Sequence, residues 1–338
     1  MKILVLGGTG VISRQIVKQA VAKGYEVTIV NRGNRTLDET KGAEVICGDR
    51  GAADFASKFE GRYFDTVIDM ICFNEHDAKQ TLEIFGDKAD QIIVTSSIAA
   101  YDRPYHSYPI VEEAEQMRTD PAFAYGYNKA CLDSYLQSQM GKTKAAITVI
   151  RPSLTFGEGA ANFGILRQNR NVVRRIREGK PVVMTGEGVI PWIFTFAEDL
   201  ANAFVLACGN KNTYNDCFHV TNDQIVMWED LYRAVGHAVG KEPNMVYIPT
   251  TILKDMLPNV CGHLYFEKTH FSVFSIDKFQ KAVPEYQPHV KLDDGIRNLV
   301  EWWEKTEFPY DEEREELEDQ VCAEYEAFRS KLIGLAQK

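Results

Sequence analysis

Aliphatic residues gather in short runs along the first half of the chain, and each run is followed by a stretch in which apolar positions recur every three to four residues. The run Lys2–Leu6 stops abruptly at glycine, as a buried parallel strand does on reaching its turn. Ile12, Ile16, Val17, Ala20 and Val21 then fall on one face of a helix predicted over 11–24, which Gly24 closes. Further strands are predicted at Val27–Val30, Val45–Ile46, Thr66–Ile68, Ile92–Val94 and Ile147–Ile150, separated by helical stretches. This alternation predicts an α/β fold, a doubly wound parallel sheet covered by helices on both faces.

After Arg151-Pro152 the pattern loosens. Residues 153–191 are rich in Gly, Asn and Arg, and 226–310 mix helices with Pro-punctuated turns. The expected organisation is a first domain over 1–157, to which 192–222 return as a helix and a strand. A smaller carboxy-terminal α/β substrate lobe is expected over 158–191 and 223–310. Residues 311–338 form an acidic amphipathic helix in this reading, whose apolar stripe of Leu317, Val321, Tyr325, Phe328 and Leu332 packs on the body of the protein or on a second subunit, with the acidic run as its solvated face.

Composition narrows the function classes. Hydrophobic residues make up 45% and charged residues 25% of the 338, which is ordinary globular usage and excludes disorder and collagen-like repeats. Lys and Arg number 38 against 48 Asp and Glu, a net charge of −10 that disfavours nucleic acid as the main ligand. Seven scattered cysteines without a C-x-x-C pair imply reduced thiols and a cytoplasmic protein rather than a disulfide framework, and no metal site is expected. The apolar run at the amino terminus is too short for a signal peptide and no run is long enough to span a membrane, so neither is expected.

Gly7-Gly8-Thr9-Gly10-Val11-Ile12-Ser13 joins the first strand to the first helix, the context that a dinucleotide fingerprint requires. Gly7 permits the turn, Gly10 lets backbone approach a pyrophosphate, and Thr9, Val11 and Ile12 place amides at the positive end of the helix. Two positions depart from the pattern: Ser13 stands at the third glycine, and Asn31-Arg32 follow the second strand where a carboxylate would hold a ribose 2′-hydroxyl. Asn and a guanidinium accept a 2′-phosphate, so NADP is favoured slightly over NAD, with Arg35 as a further cation. Asp49, in Gly48-Asp49-Arg50 after the third strand, is a candidate partner for an adenine amino group; a plain turn aspartate is the alternative.

Tyr125 and Lys129 stand four apart, which on a helix puts them on one face. A phenol is a poor base at neutral pH, and a neighbouring ammonium favours its ionised form. Such a pair exchanges a proton with a hydroxyl or carbonyl while a nicotinamide exchanges a hydride. Ser96 and Ser97 end the strand Ile92–Val94 at the sheet edge where ligands of parallel sheets bind, and a serine there reaches the same substrate oxygen.

Taken in order, Gly7-x-x-Gly10, Ser96-Ser97-x-x-x-Tyr101, Tyr125-x-x-x-Lys129 and Arg151-Pro152 with Phe156-Gly157 resemble the extended short-chain dehydrogenase/reductases, the NAD(P)-dependent epimerase/dehydratase family, over about residues 1–305. The resemblance implies a Rossmann-type fold, Tyr125 as general acid/base, Lys129 as its modulator and a ligand of the nicotinamide ribose, and Ser97 rather than Ser96 as the hydroxyl partner. It places Met70, Ile71 and Cys72, Asp49 and Arg50, and Ser96 and Pro152 at the cofactor. Cys72 reads as a buried small hydrophobe, not a nucleophile.

In the second half, Gly186–Phe196 resembles a family segment in which an arginine clamps a diphosphate, but Trp192 stands in its place. Arg167, Arg170, Arg174, Arg175 and Arg177 read as a solvated helix face, with compensation for the lost arginine as the alternative. Ser97 is followed by Ile98-Ala99 rather than an acidic pair, which disfavours dehydration. The expected function is an epimerase or oxidoreductase acting on a sugar, a sugar nucleotide or a similar small hydroxy or keto compound. Alternatives are an NADPH-dependent reductase of a small carbonyl compound, a non-catalytic dinucleotide sensor, and an RNA-binding relative. A homodimer is implied by the resemblance alone.

Overall fold

Ile3 and Val5 point to one side of the first strand and Leu4 and Leu6 to the other, and all four are buried in two different cores. A strand with both faces covered belongs inside a sheet sandwiched by helices. The computed structural model, which describes residues 1–33, 38–160, 163–168, 170–306 and 310–335, has that architecture. Seven parallel strands run in the order Asp216–Val220, β6 (Ala146–Pro152), β5 (Ala89–Thr95), β4 (Phe64–Asp69), β1 (Lys2–Leu6), β2 (Glu26–Asn31) and β3 (Glu44–Cys47). Strand order reverses at β1, which pairs Leu6 with Val30 on one side and with Asp69 on the other. A crevice opens at the carboxyl ends of strands at such a reversal.

The chain divides into two compact units. The first comprises 1–157, 193–223 and 273–290. On one face of its sheet, α1 (Val11–Ala22) packs on α5 (Ala197–Ala207), joined by α9 (Asp277–Ala282). On the other lie α2 (Glu75–Phe85) and α3 (Ala124–Gln139), with Phe55, Phe59 and Phe85 stacked edge to face. The segment 273–290 corrects the expectation that all of 223–310 forms the substrate lobe. Ile276, Phe279, Val283 and Tyr286 are spaced to bury one face, and Phe279 packs its ring edge-on against Phe218 in the first unit's core.

The second unit comprises 158–192, 224–272 and 291–338. Its strands Pro181–Thr185 and Asn244–Ile248 pair in parallel, and Pro191–Trp192 pairs antiparallel with Val226–Met227. Around them lie α4 (Arg170–Glu178), α6 (Trp228–Val239), α7 (Thr250–Met256), α8 (Pro258–Glu267), α10 (Leu292–Lys305) and α11 (Glu312–Leu335).

Two expectations are corrected in this unit. The acidic run of α11 is not simply a solvated face. Glu318 is buried, accepting from the Val183 N–H at 2.8 Å and from Gln168 Nε2 at 2.6 Å. Arg175, in turn, is wholly buried and bridges Glu315, Glu318 and Asp319 at 3.0, 3.4 and 2.7 Å. The basic stretch is therefore split: Arg175 sits inside the unit, Arg174 and Arg177 pair with Glu178 and Glu304, and Arg167 is exposed and Arg170 partly so, as a solvated face requires. Of the apolar stripe only Val321 is fully buried, with Phe328 and Leu332 half exposed. Among the described residues no helix is long and apolar enough to cross a membrane.

Candidate active site

The glycine turn after β1 is shaped for close approach. Gly7 has φ +84°, a left-handed conformation that costs an L residue roughly 1–2 kcal/mol. A Cβ there would lie 2.4 Å from Ile71 Cγ2. Ser13 turns out to brace the loop, because its hydroxyl accepts from the Gly10 N–H at 2.8 Å and donates to the Gly7 carbonyl at 2.5 Å. A glycine at 13 could not do this, so the departure supplies an internal clamp. The amides at the start of α1 then face a cleft of about 890 Å³.

Gly7, Thr9, Gly10, Val11, Ile12, Asn31, Arg32, Asp49, Arg50, Met70 and Ile71, all singled out from the sequence, line that cleft. Asn31 Oδ1 accepts from the Gly33 N–H at 2.8 Å, which fixes the turn after β2, and Arg32 is exposed on the wall. Arg35 lies outside the described residues. Asp49 Oδ1 likewise closes a turn by accepting from the Gly51 N–H at 2.9 Å.

Arg50 faces inward. Its Nη1 reaches Asp69 at 3.2 Å and the Ile71 carbonyl at 2.8 Å, Nη2 reaches the Asp77 carbonyl and the Thr81 hydroxyl, and Nε reaches Gln80. A guanidinium so occupied shapes the wall rather than offering a charge to a ligand.

Ser13, Val30, Gly48, Phe73 and Asp77 complete the lining without having been expected there. Phe73 is the most informative, a ring just past the end of β4 and more than half exposed. Its signal in the sequence was only an aromatic residue in a loop at a sheet edge.

Cys72 is buried, which pushes its thiol well above the usual cysteine value, and contributes its carbonyl instead of its sulfur. That carbonyl and the one of Thr95 each accept from Lys129 Nζ at 2.7 Å. Lys129 is itself buried, and burial lowers its ammonium below the usual lysine value against the opposing pull of Cys72, Asp69, Asp133 and Asp77. The ammonium also faces the Phe73 ring, 5.3 Å from its centroid.

Lys129 thus stands behind Phe73, which lines the cleft, with two of its three donors fixed by backbone, while Lys129, Cys72, Ser97 and Tyr125 are not themselves part of the cleft wall. Tyr125 is one turn earlier on α3, about half exposed, with its ring beside Phe123. Gly126 brings α3 onto the turn after β5: a Cβ there would lie 2.5 Å from the Ala99 carbonyl oxygen. Ser97 caps that turn, its Oγ accepting from the Ala99 N–H at 3.1 Å. Ser96 and Pro152 are buried outside the cleft wall, Ser96 donating its N–H to the Ile150 carbonyl and Pro152 standing opposite Val220.

The sequence model of the NAD dependent epimerase/dehydratase family matches residues 3–217, nearly two thirds of the chain. The chain belongs to that family. Among its relatives, a 2′-dehydrokanamycin reductase of Streptomyces kanamyceticus is 23% identical over 85% of this chain and 80% of its own length. The chloroplast stem-loop binding protein of 41 kDa b of Arabidopsis thaliana is 26% identical over 73% of this chain and 65% of its own length. The structure of a UDP-glucose 4-epimerase from Thermotoga maritima, solved with UDP-glucose, superposes with a TM-score of 0.72 at 19% identity and covers 90% of this chain and 99% of that one. The fold of the family member described here is thus that of the epimerases. Trp192, where the family segment would carry its arginine, is buried with its ring centre 5.1 Å from that of Trp228.

Proposed function

We propose that the protein is an NAD(P)(H)-dependent reductase or dehydrogenase that interconverts a hydroxyl and a carbonyl on a small polyhydroxylated compound lacking a diphosphate. The observation that carries the reading is the placement of Lys129, buried beside the cleft and held by two backbone carbonyls one helical turn from Tyr125.

The cleft fits a dinucleotide. The Gly7–Gly10 turn allows backbone to approach a pyrophosphate, the α1 amides meet its charge, and the end of β2 offers Asn31 and Arg32 in place of a carboxylate. That last feature supports NADP(H) over NAD(H). When bound, the cofactor supplies a nicotinamide able to give or take a hydride.

The protein's own residues handle position and protons. Lys129 uses its remaining N–H on the nicotinamide ribose, and its charge lowers the pKa of the Tyr125 phenol. Tyr125 passes a proton to or from the substrate oxygen, and Ser97, whose hydroxyl hydrogen its capping bond leaves unused, donates to that same oxygen.

A substrate without a diphosphate is supported by the loss of cationic partners. Trp192 stands at the arginine position, Arg175 is enclosed by three carboxylates, and Arg174 and Arg177 are paired within the second unit. A relative named as a 2′-dehydrokanamycin reductase supports the reductase reading. The chloroplast relative is named for stem-loop binding, and RNA binding by this chain is disfavoured by its charge of −10.

The test is to incubate the protein and NADPH or NADH with a panel of keto sugars, keto-aminocyclitols and UDP-sugars, and to follow the loss of reduced nicotinamide and the formation of new sugar isomers. Turnover of an unphosphorylated ketone that vanishes in Tyr125→Phe supports the proposal. Epimerisation of a UDP-sugar without net consumption of reduced cofactor refutes it.

A further inference from the structure

The active-site helix carries a third residue on the face that holds Tyr125 and Lys129. Asp133 follows Lys129 by four, is fully buried, and points into the first unit, not toward solvent. Its carboxylate accepts two bonds from one guanidinium, Arg151 Nε at 2.8 Å and Nη2 at 2.7 Å, a forked pair. Burial opposes the charge of Asp133, but Arg151, helped by the Ser96 hydroxyl and by a hydrogen bond from Gln137 Nε2 at 2.8 Å, outweighs it and holds the carboxyl below the usual carboxylate value.

The remaining Arg151 nitrogen, Nη1, donates to the Tyr101 hydroxyl at 2.7 Å. A neutral His219 that places its one ring proton on Nδ1, toward the Ser275 carbonyl, leaves Nε2 as an acceptor for the Tyr101 hydroxyl proton, also at 2.7 Å. His219 is wholly buried and kept neutral, by burial first and by the nearby Arg151 second, with its Nδ1 proton facing the Ser275 carbonyl at 3.3 Å. The His219 backbone N–H in turn donates to Glu112 at 2.6 Å.

Tyr101 is not a remote member of this chain. Its N–H donates to the Ile98 carbonyl at 3.3 Å, closing the short turn that Ser97 caps. Its own carbonyl is held by Arg118 and Arg103. One guanidinium therefore joins the helix of Tyr125 and Lys129, through Asp133, to the turn of Ser97, through Tyr101. Gly126 sets how closely those two pieces approach, and Arg151 sets how they are aligned.

We propose that Asp133, Arg151, Tyr101 and His219 form a positioning device that keeps Ser97 in register with Tyr125 and Lys129. The device rests on the acid/base role given to Tyr125 above. None of the four touches substrate in this account; they act through the helix and the turn they connect.

Tyr101→Phe is the decisive variant, because it removes only the oxygen linking Arg151 to His219 and alters no charge. The readout is the ionisation of the Tyr125 phenol, measured at 295 nm as the difference between each protein and the same protein carrying Tyr125→Phe. It needs no substrate. Dinucleotide affinity, with NADPH and NADH as probes, and thermal melting are recorded alongside.

The expected result is a Tyr125 midpoint well below 10 in the native protein, moved up by about one unit or more in Tyr101→Phe, a tenfold loss of phenolate at a given pH. Dinucleotide affinity stays within about threefold of native, since the cleft wall contains none of the four residues. Arg151→Lys, which keeps the charge but loses the fork, behaves the same way.

An unchanged midpoint in Tyr101→Phe overturns the positioning role while leaving the acid/base reading intact. A shift accompanied by parallel loss of melting temperature and dinucleotide binding also overturns it, because the network is then ordinary core. A native Tyr125 that titrates near 10 overturns both readings at once.

Discussion

Replacing Gly7 with alanine tests the claim that the loop after β1 exists to let backbone approach a ligand. Two penalties are visible in the structure. The left-handed φ of +84° costs an alanine roughly 1–2 kcal/mol. The new methyl would also sit 2.4 Å from Ile71 Cγ2, and relieving such an overpacked contact costs about 1–3 kcal/mol. Together they come to about 2–5 kcal/mol, divided between the fold and the cleft, because Ile71 and Gly7 both line the cleft. Ile71→Ala removes the atom struck, so the double variant Gly7→Ala/Ile71→Ala should recover the contact part and retain the backbone part. The assay is NADPH and NADH titration by fluorescence together with urea melts on the native protein, both single variants and the double. The expectation is that Gly7→Ala weakens dinucleotide binding by at least about tenfold, equivalent to 1.4 kcal/mol, and lowers the melting midpoint, with a positive coupling to Ile71. Native affinity and native stability in Gly7→Ala would refute the argument from close approach.

Two other outcomes follow from the same geometry. Gly126→Ala gains about 1 kcal/mol of helix propensity but places a methyl 2.5 Å from the Ala99 carbonyl. It should therefore cut turnover by about a hundredfold through displacement of α3, leaving NADPH affinity unchanged. Arg32→Ala should weaken NADPH binding by about tenfold without affecting NADH, as read by parallel titrations; equal losses for both would remove Arg32 from any 2′-phosphate contact.

Burial raises the Glu318 carboxyl to about 7 from 4.5. The folded protein thus holds a proton there that the unfolded chain has released, and this contribution to stability is present below pH 4.5 and lost as the pH climbs through 7. Urea melts of Glu318→Gln and the native protein should diverge in favour of the variant between pH 5 and 8, by about 1–3 kcal/mol. A difference that does not vary with pH would contradict the assignment.

The strands of the first half were legible because each is buried on both faces, which leaves a continuous aliphatic run rather than an ambiguous alternation. The glycine turn was legible for a related reason: a backbone constraint such as the one at Gly7 admits few residue types. Tyr125 and Lys129 could be paired because a helix converts a spacing of four into a shared face. What escaped were features made by partners distant in sequence. The apolar spacing of Ile276, Phe279, Val283 and Tyr286 predicts a buried face but says nothing of which core receives it, and Phe218 decides that. Acidic α11 reads as solvated until Arg175 and the Val183 N–H are seen to meet Glu318. Arg50 was expected at the cofactor and does line the cleft, yet Asp69 and the carbonyls of Ile71 and Asp77 draw its guanidinium inward. Tyr101 was visible only as the aromatic that ends the Ser97 motif and Asp133 carried no signal of its own, since only the fold brings Arg151 between them.

The central claim is that the cleft at the end of β1 holds a nicotinamide dinucleotide beside Lys129. It is tested most directly by denaturing the purified protein, identifying any nucleotide released, and titrating the emptied, refolded or nucleotide-free protein with NADPH and NADH. The account predicts one site per chain, saturable by NADPH at micromolar concentration and more weakly by NADH, with exchangeable rather than permanently retained cofactor. Failure of either dinucleotide to bind would contradict it, and stoichiometric NAD retained through purification would favour a cofactor-recycling epimerase over the reductase proposed here.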